Sequence, residues 1–171
     1  MALPWPSLEK YDLSNYVIKN VSSVEEMRDT ITKFEISEGW MPAIDDSALF
    51  YNTDPEGMFI GQLNGETISC ITVVKYGSSF AFLGTYIVLK EFRGNGYGLA
   101  LFKHAIESVP LTYNIALDAV LGKNLLYRKW GFVDSKFINR RVQVDIKPAL
   151  EKLDSFNSRT DATIQPASAV D

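Results

Sequence analysis

The 171-residue chain is 46% hydrophobic and 22% charged, a composition typical of one soluble globular domain. Its formal net charge of −4 argues against a general nucleic-acid binder, which needs a basic face. A single cysteine, Cys70, excludes an internal disulfide and favours a reducing compartment. The N-terminus does not have the pattern of a secretory signal, and no apolar run approaches the ~18 residues of a membrane span. We therefore expect a cytoplasmic protein with no nucleic-acid or membrane partner.

The first predicted elements are a strand and a helix. Residues 15–23 alternate weakly, as in a strand, and Ser23 with Glu26 resembles a capping box. The helix that follows, over 24–37, places four apolar side chains on one face: Val24, Met27, Ile31 and Phe34. A short helix or turn comes next and is broken at Asp54-Pro55.

Three tightly joined strands are predicted in the middle of the chain. Residues 58–63 meet residues 66–76 through Asn64-Gly65, a strong hairpin signal. A second turn at 76–79 leads into 80–89, which is apolar on both faces, as expected of a central strand.

The second half of the chain predicts a β-α-β unit. A helix begins after Gly96, and residues 113–120 form the next strand, so the two strands should be parallel with a right-handed crossover. Residues 123–130 predict a short helix, and residues 136–146 alternate as an outer strand.

The segment KEFRGNGYGLALFKHA (90–105) contains three glycines at the start of a helix. The first N–H groups of a helix are unpaired and lie at the positive end of its dipole, so they suit a phosphate. Gly94, Gly96 and Gly98 remove side chains from this position, and Arg93 adds a cation, which predicts a pyrophosphate cradle. The alternative is a turn that only connects a strand to a helix. The spacing does not match the dinucleotide fingerprint, and the segment lacks the Gly-Lys-Ser/Thr of a P-loop.

The pattern R-x-x-G-x-G, filled by Arg93, Gly96 and Gly98, resembles the acetyl-CoA loop of the GCN5-related N-acetyltransferase (GNAT) superfamily. LYRKWGF (126–132) is similar to the second signature of that superfamily, and the order of elements matches over about 15–146. The resemblance implies an α/β (α+β) fold with a mixed, mostly antiparallel sheet. Helices flank this sheet, and a V-shaped splay separates two central parallel strands.

Residues 37–66 and IALDAV (115–120) also resemble, more faintly, the subgroup related to a bacterial holothin acyltransferase. Members of this subgroup carry an additional C-terminal domain. On this basis the expected organisation is an N-terminal extension (1–14), an acetyltransferase domain (15–146) and a C-terminal tail (147–171). The tail is polar, and we expect it to be mostly disordered or the start of a missing second domain.

The resemblance implies transfer of an acetyl group from acetyl-CoA to the primary amine of a small molecule or peptide, by a monomer or homodimer. The pantetheine arm would pair with the strand edge at Tyr86, Ile87 and Val88, with an N–H of Ile87 or Val88 facing the thioester oxygen. The pyrophosphate would meet the amides of the loop, which are those of Gly94, Asn95, Gly96, Tyr97 and Gly98. The asparagine that many members place before the helix tyrosine is replaced here by Val120, and Asn124 is the substitute cofactor ligand.

By the same resemblance, Tyr127 is the candidate general acid for the departing thiolate, with a helix packing residue as the alternative. The general base stays open among Glu38, Glu66, Glu91, Asp118 and a water chain. Asp118 is favoured because it interrupts an apolar strand.

Glu38 and Trp40 fall in the segment that covers the acceptor pocket, where Trp40 would either stack on substrate or fill a core edge. No metal-ligand spacing occurs, so we expect no metal. The competing hypothesis is a CoA-binding module or half-enzyme without turnover.

Overall fold

The computed structural model describes residues 5–135, 139 and 152 of the chain. Residues up to Asp134 belong to one compact unit, and Ser135–Asp171 make up a second. The fold and the site below concern the first unit. The predicted outer strand (136–146) and the predicted tail (147–171) lie outside the described residues, apart from Asn139 and Lys152.

Five strands form one sheet in the order β1-β2-β3-β4-β5. The pairings among β1 to β4 are antiparallel, whereas β4 and β5 are parallel. The mixed, mostly antiparallel sheet is therefore confirmed, with the parallel pair at one end of the described strands. The strands are β1 (Tyr16–Asn20), β2 (Met58–Leu63), β3 (Glu66–Tyr76), β4 (Phe80–Val88) and β5 (Asn114–Leu117).

The first helical segment is continuous but changes geometry. It consists of α1 (Val24–Met27), a π-helical turn (Arg28–Thr32) and α2 (Lys33–Ser37). One half of the predicted capping box is present, because the Ser23 hydroxyl accepts a hydrogen bond from the Glu26 N–H at 3.1 Å. The Glu26 carboxylate accepts from the Ser22 N–H at 2.7 Å instead of from Ser23. The other helices are α3 (Asp46–Thr53), α4 (Tyr97–Glu107) and α5 (Asn124–Lys129), with 3₁₀ turns at Pro55–Gly57 and Lys90–Phe92.

Asn64 and Gly65 form the predicted hairpin turn between β2 and β3. Their φ angles are +51° and +85°. A two-residue turn with positive φ at both positions matches the twist of the flanking strands. This turn sets the pairing of β2 with β3, and the local sequence was sufficient to predict it.

The sheet buries a separate apolar cluster on each face. On one face, Phe59, Ile71 and Leu83 pack with Leu101 and Phe102 of α4. On the other face, the first helical segment buries its apolar side against the sheet through the cluster Val21, Met27, Ile31, Met58, Ile60, Cys70, Val74 and Ile87. Strand β4 is thus covered on both sides, as its sequence predicts.

The described part of the N-terminal extension packs against the α4 face. The ring of Trp5 lies 5.8 Å from that of Phe102 and 6.0 Å from that of Trp130, between centroids. Aromatic pairs at such separations stabilise a core beyond their buried area. Trp5 therefore contributes to the same compact unit as the sheet.

Candidate active site

Strand β4 parts from β5 halfway along its length. The parallel pairing runs from Phe80 opposite Asn114 to Leu83 opposite Leu117. Strand β4 itself continues to Val88 beside β3. The far half of β4 therefore offers backbone groups along an edge that β5 does not cover, as the predicted splay requires.

A β-bulge lies at the point where the two strands part. The register between β3 and β4 shifts by one residue between Cys70 and Thr72, and Thr85 has φ of +44°. Thr85 is held on two sides: its carbonyl accepts a hydrogen bond from the Cys70 thiol at 3.4 Å, and its hydroxyl donates to the Glu35 carboxylate at 2.9 Å. A bulge bends its strand and re-aims the side chains after it.

Backbone orientation after the bulge selects the groups that face the open edge. Ile87 lies opposite Cys70 of β3, and the Leu89 N–H donates to the Ile68 carbonyl of β3 at 2.9 Å, so the Ile87 N–H also points toward β3. Successive peptide groups of a strand point to opposite edges, so the N–H groups of Tyr86 and Val88 point away from β3. Of the two predicted oxyanion donors, Val88 faces the opening and Ile87 faces the sheet interior.

The glycine loop leads directly into α4. Gly94 and Gly96 have φ of +87° and +85°, conformations that favour glycine. Gly96 is the N-cap of α4, and its carbonyl accepts from Ala100 N–H at 2.9 Å. The N–H groups of the first helical turn have no intrahelical partner and are available to an anion.

Close packing, and not only access for an anion, requires two of the three glycines. A Cβ at Gly96 would collide with the ring of Tyr11, and a Cβ at Gly98 would lie 2.7 Å from the Tyr86 hydroxyl. In the described part of the chain, nothing lies within 4 Å of a Cβ at Gly94. Among the described residues, Gly94 is therefore the glycine with open space beside it, whereas Gly98 allows α4 to pack closely against β4.

Arg93 links the loop to two other elements. Its Nε donates to the carbonyl of Val88 at 2.7 Å, and its Nη2 donates to the Glu38 carboxylate at 2.7 Å. Glu38 caps the end of α2. Arg93 therefore holds the loop against β4 and α2, and Glu38, predicted as a base and an acceptor contact, is its ion-pair partner.

Tyr127 lies in α5 on the same face of the sheet as α4. Its ring centroid is 6.0 Å from that of Phe102 and 6.1 Å from that of Phe132. Burial raises the pKa of Tyr127 above its ordinary value. Burial also raises the pKa of Tyr86, and Tyr127 adds to that increase. The rings of both tyrosines pack on Phe102. The Tyr127 phenol is therefore protonated at neutral pH and lies near Tyr86 of β4.

Other predicted site residues lie in different environments. Asp118 is exposed and follows the last residue of β5, so it does not interrupt an apolar strand and that argument for its role fails. Glu66 and Glu91 are also exposed, at the hairpin and in a 3₁₀ turn. Trp40 packs against the cluster under the first helical segment, which favours the core-edge alternative.

The remaining predicted cofactor contacts are organised locally. The Asn95 side chain donates to the Phe92 carbonyl at 3.3 Å, which closes the loop on itself. Tyr97 stacks on Tyr16, with 4.8 Å between centroids. Asn124 is exposed at the first position of α5.

Sequence reasoning missed three residues of this site: Tyr11, Glu35 and Thr85. Tyr11 falls in the segment that was predicted to be an N-terminal extension, yet its ring lies against Gly96. Glu35 lies in a helix for which the sequence pattern indicated only the apolar face. Thr85 carries no local signal, because a positive φ at a β-branched residue contradicts its intrinsic preference.

A family model for the acetyltransferase (GNAT) family matches residues 22–132. The chain belongs to the acetyltransferase (GNAT) family. The matched segment contains the bulged strand, the glycine loop and Tyr127. Members of this family use acetyl-CoA. The GNAT assignment supports an acyltransferase in general terms.

The chain is also similar to individual GNAT proteins. It is 30% identical over 141 residues to the holothin acyltransferase of Pseudoalteromonas sp. (strain SANK 73390), covering 80% of this chain and 47% of that protein. The chain thus spans about half the length of that curated relative.

Two solved structures illustrate the likeness in fold. A Pyrococcus horikoshii protein assigned as an acetyltransferase aligns with a TM-score of 0.61 and 20% identity, over 86% of this chain and 58% of that one. A Clostridium acetobutylicum protein, also assigned as an acetyltransferase and solved with acetyl-CoA, aligns with a TM-score of 0.55 and 17% identity, over 77% and 96%. At these identities the structures show a common fold.

Two further findings concern the described residues only. Among them, no three His, Cys, Asp or Glu side chains are grouped so that they could hold a metal ion. Within the same part of the chain, no helix has the length and apolar character needed to cross a membrane.

Proposed function

We propose that this chain is an acetyl-CoA-dependent N-acetyltransferase that acts on the primary amine of a small molecule or peptide. The observation that carries the proposal is the edge of β4 up to Val88 that β5 does not cover, next to the Gly94–Gly98 loop and the start of α4. Both parts suit one ligand that has a pyrophosphate at one end and an amide-containing arm at the other.

The fit to acetyl-CoA follows from the backbone. Gly94 opens on free space beside the unpaired amides of the first turn of α4, which suits a pyrophosphate. Pantetheine contains two amides and can pair with the N–H groups of Tyr86 and Val88, which point away from β3, as an additional strand would. Arg93 contributes by holding the loop against β4, through the Val88 carbonyl.

The chemistry has two demands that this chain's residues meet. A backbone N–H at the open edge stabilises negative charge on the thioester oxygen. Tyr127, protonated at neutral pH and adjacent to Tyr86, supplies a proton to the departing sulfur. The acyl carbon then passes from sulfur to the nitrogen of the acceptor in a single complex.

Calorimetry and a transfer assay on the full chain test the proposal. Acetyl-CoA and free CoA should bind with similar affinity, because most contacts go to the pyrophosphate and pantetheine that they share. A panel of small amines and peptides, monitored by release of free thiol, should then include an acceptor that is acetylated. Absence of CoA binding would contradict the proposal, and binding without transfer to any amine would favour a CoA-binding module without turnover.

A further inference from the structure

The carboxylate of Glu35 lies at the bulge where β4 and β5 part. Glu35 belongs to α2 and is half-buried. Its Oε1 accepts the hydrogen bond of the Thr85 hydroxyl at 2.9 Å. Thr85 immediately precedes Tyr86, the first residue after the bulge with an N–H toward the open edge.

The reactive end of acetyl-CoA should come close to this bulge. The pyrophosphate cradle follows the end of β4, and β5 closes the opening at Leu83. An arm that starts at the cradle and pairs with Val88 must therefore run back along β4 toward Thr85. Since the thioester is at the end of that arm, it meets the closed apex of the splay.

The Glu35 carboxylate also lies near Cys70, which is beside the bulge. Burial raises the pKa of the Cys70 thiol, and the nearby Glu35 carboxylate raises it further. The Cys70 thiol itself contacts the Thr85 carbonyl. Glu35 is therefore close to the bulged backbone on the face covered by α2, whereas Tyr127 lies on the opposite face, covered by α4 and α5.

The other carboxylates considered for the base are placed less well. Glu38 is in an ion pair with Arg93 at 2.7 Å, which ties its carboxylate to the loop. Asp118 and Glu66 are exposed outside the bulged segment. Glu91 is exposed in the 3₁₀ turn before the loop.

Resting on the proposed function, we propose that Glu35 is the general base of the transfer. The acceptor arrives as a primary ammonium and gives one proton to the Glu35 carboxylate, directly or through one water. The nitrogen then bonds to the thioester carbon as the carbon–sulfur bond breaks, and the sulfur takes a proton from Tyr127. The second nitrogen proton restores Tyr127 through solvent, and Glu35 releases its proton, leaving an amide, the CoA thiol and one proton.

Glu35→Gln tests the assignment, because glutamine keeps an oxygen that accepts from Thr85 but cannot take a proton. We expect kcat to fall about 10²–10⁴-fold, the usual contribution of a general base, with unchanged affinity for CoA. The loss should shrink with an aromatic amine, which is already neutral at pH 7. Glu107→Gln is the matched control on an exposed side of α4 and should retain the parent rate.

Thr85→Ala separates catalysis from support of the bulge. It removes the hydroxyl that holds Glu35 but leaves the carboxylate, so kcat should fall by less than about tenfold. A loss in Thr85→Ala without a loss in Glu35→Gln would show that Glu35 only holds the bulge, and would overturn the base assignment. If the parent is active and Glu35→Gln is equally active, only the assignment of Glu35 as the base is overturned. If the parent acetylates no amine, the proposed function and the assignment of Glu35 are overturned together.

Discussion

Tyr127 has a hydroxyl beside Tyr86 and a ring packed on Phe102, so its two parts have separable roles. Tyr127→Phe keeps the packing and removes the proton. We expect kcat to fall about 10²–10⁴-fold while acetyl-CoA still binds. The measurement is steady-state kinetics with calorimetry on the same samples.

The loss in Tyr127→Phe should shrink when the thioester carries a more acidic thiol, because such a leaving group needs less protonation. Tyr113→Phe is the matched control, since Tyr113 donates to the Gly77 carbonyl at 2.8 Å in another part of the sheet. Turnover of Tyr127→Phe at the parent rate would make Tyr127 a packing residue.

Tyr16 makes stability depend on pH in the alkaline range. Its hydroxyl shares a 2.7 Å hydrogen bond with the Ser69 hydroxyl, and Gly61 has no side chain to block that contact. Burial raises the pKa of Tyr16 to about 12, above the unfolded value of 10.0. Between these values the folded chain keeps a proton that the unfolded chain has lost, so stability falls as pH rises.

We therefore expect the free energy of unfolding to lose about 2–3 kcal/mol from Tyr16 as the pH rises from 10 to 12. The gap between the parent and Tyr16→Phe in urea unfolding should narrow over this range. Below pH 10 the variant should be less stable by about 1–3 kcal/mol, because Ser69 loses its partner. The exposed Tyr76→Phe serves as the control, and a gap that is constant with pH would contradict this role of Tyr16.

The proposed phosphate cradle between β4 and α4 consists of backbone groups, so it can be tested at the scale of a single element. Gly94 and Gly65 have φ of +87° and +85°, and a Cβ at either meets nothing within 4 Å. Valine at either position should cost about 1–2 kcal/mol of stability from the left-handed conformation alone. Only Gly94→Val should also lose affinity for CoA, because Gly65 is in the hairpin between β2 and β3.

Paired calorimetry and thermal unfolding of Gly94→Val and Gly65→Val check this expectation. Undiminished CoA affinity in Gly94→Val would remove the loop as the phosphate cradle. Gly96 is a poorer site for the same test, since a side chain there also collides with Tyr11.

At the scale of the whole molecule, the N-terminal segment and the end of α5 pack against the same buried side chain of α4. Trp5 contacts Phe102 and Trp130, and Trp130 packs on Phe102 at 4.3 Å between centroids. Trp5→Ala should lower the free energy of unfolding by about 2–4 kcal/mol through loss of this packing. Val17→Ala, at a position 60% exposed, is the control with a small expected effect.

Chemical denaturation of Trp5→Ala and Val17→Ala measures the two effects. If Trp5→Ala were as stable as Val17→Ala, residues before β1 would be a dispensable extension and not part of the compact unit.

Local signals in the sequence were sufficient for most elements and for the family. The Asn64-Gly65 turn, the Ser23 cap and the apolar strand at 80–89 each appear as predicted, because turn, cap and burial preferences act over a few residues. The pattern from Arg93 to Gly98 identified the loop and, through the resemblance, the GNAT family.

Tertiary structure alone decided how the site is assembled. Arg93 donates a hydrogen bond to Glu38, and Thr85 donates one to Glu35. Gly96 lies against the ring of Tyr11. The two members of each pair are separated by 50 residues or more along the chain. Such contacts depend on which helix covers which face of the sheet, and no short-range preference encodes that choice. The bulge at Thr85 likewise requires a φ that threonine disfavours, so only the surrounding packing and its hydrogen bonds to Cys70 and Glu35 can hold it.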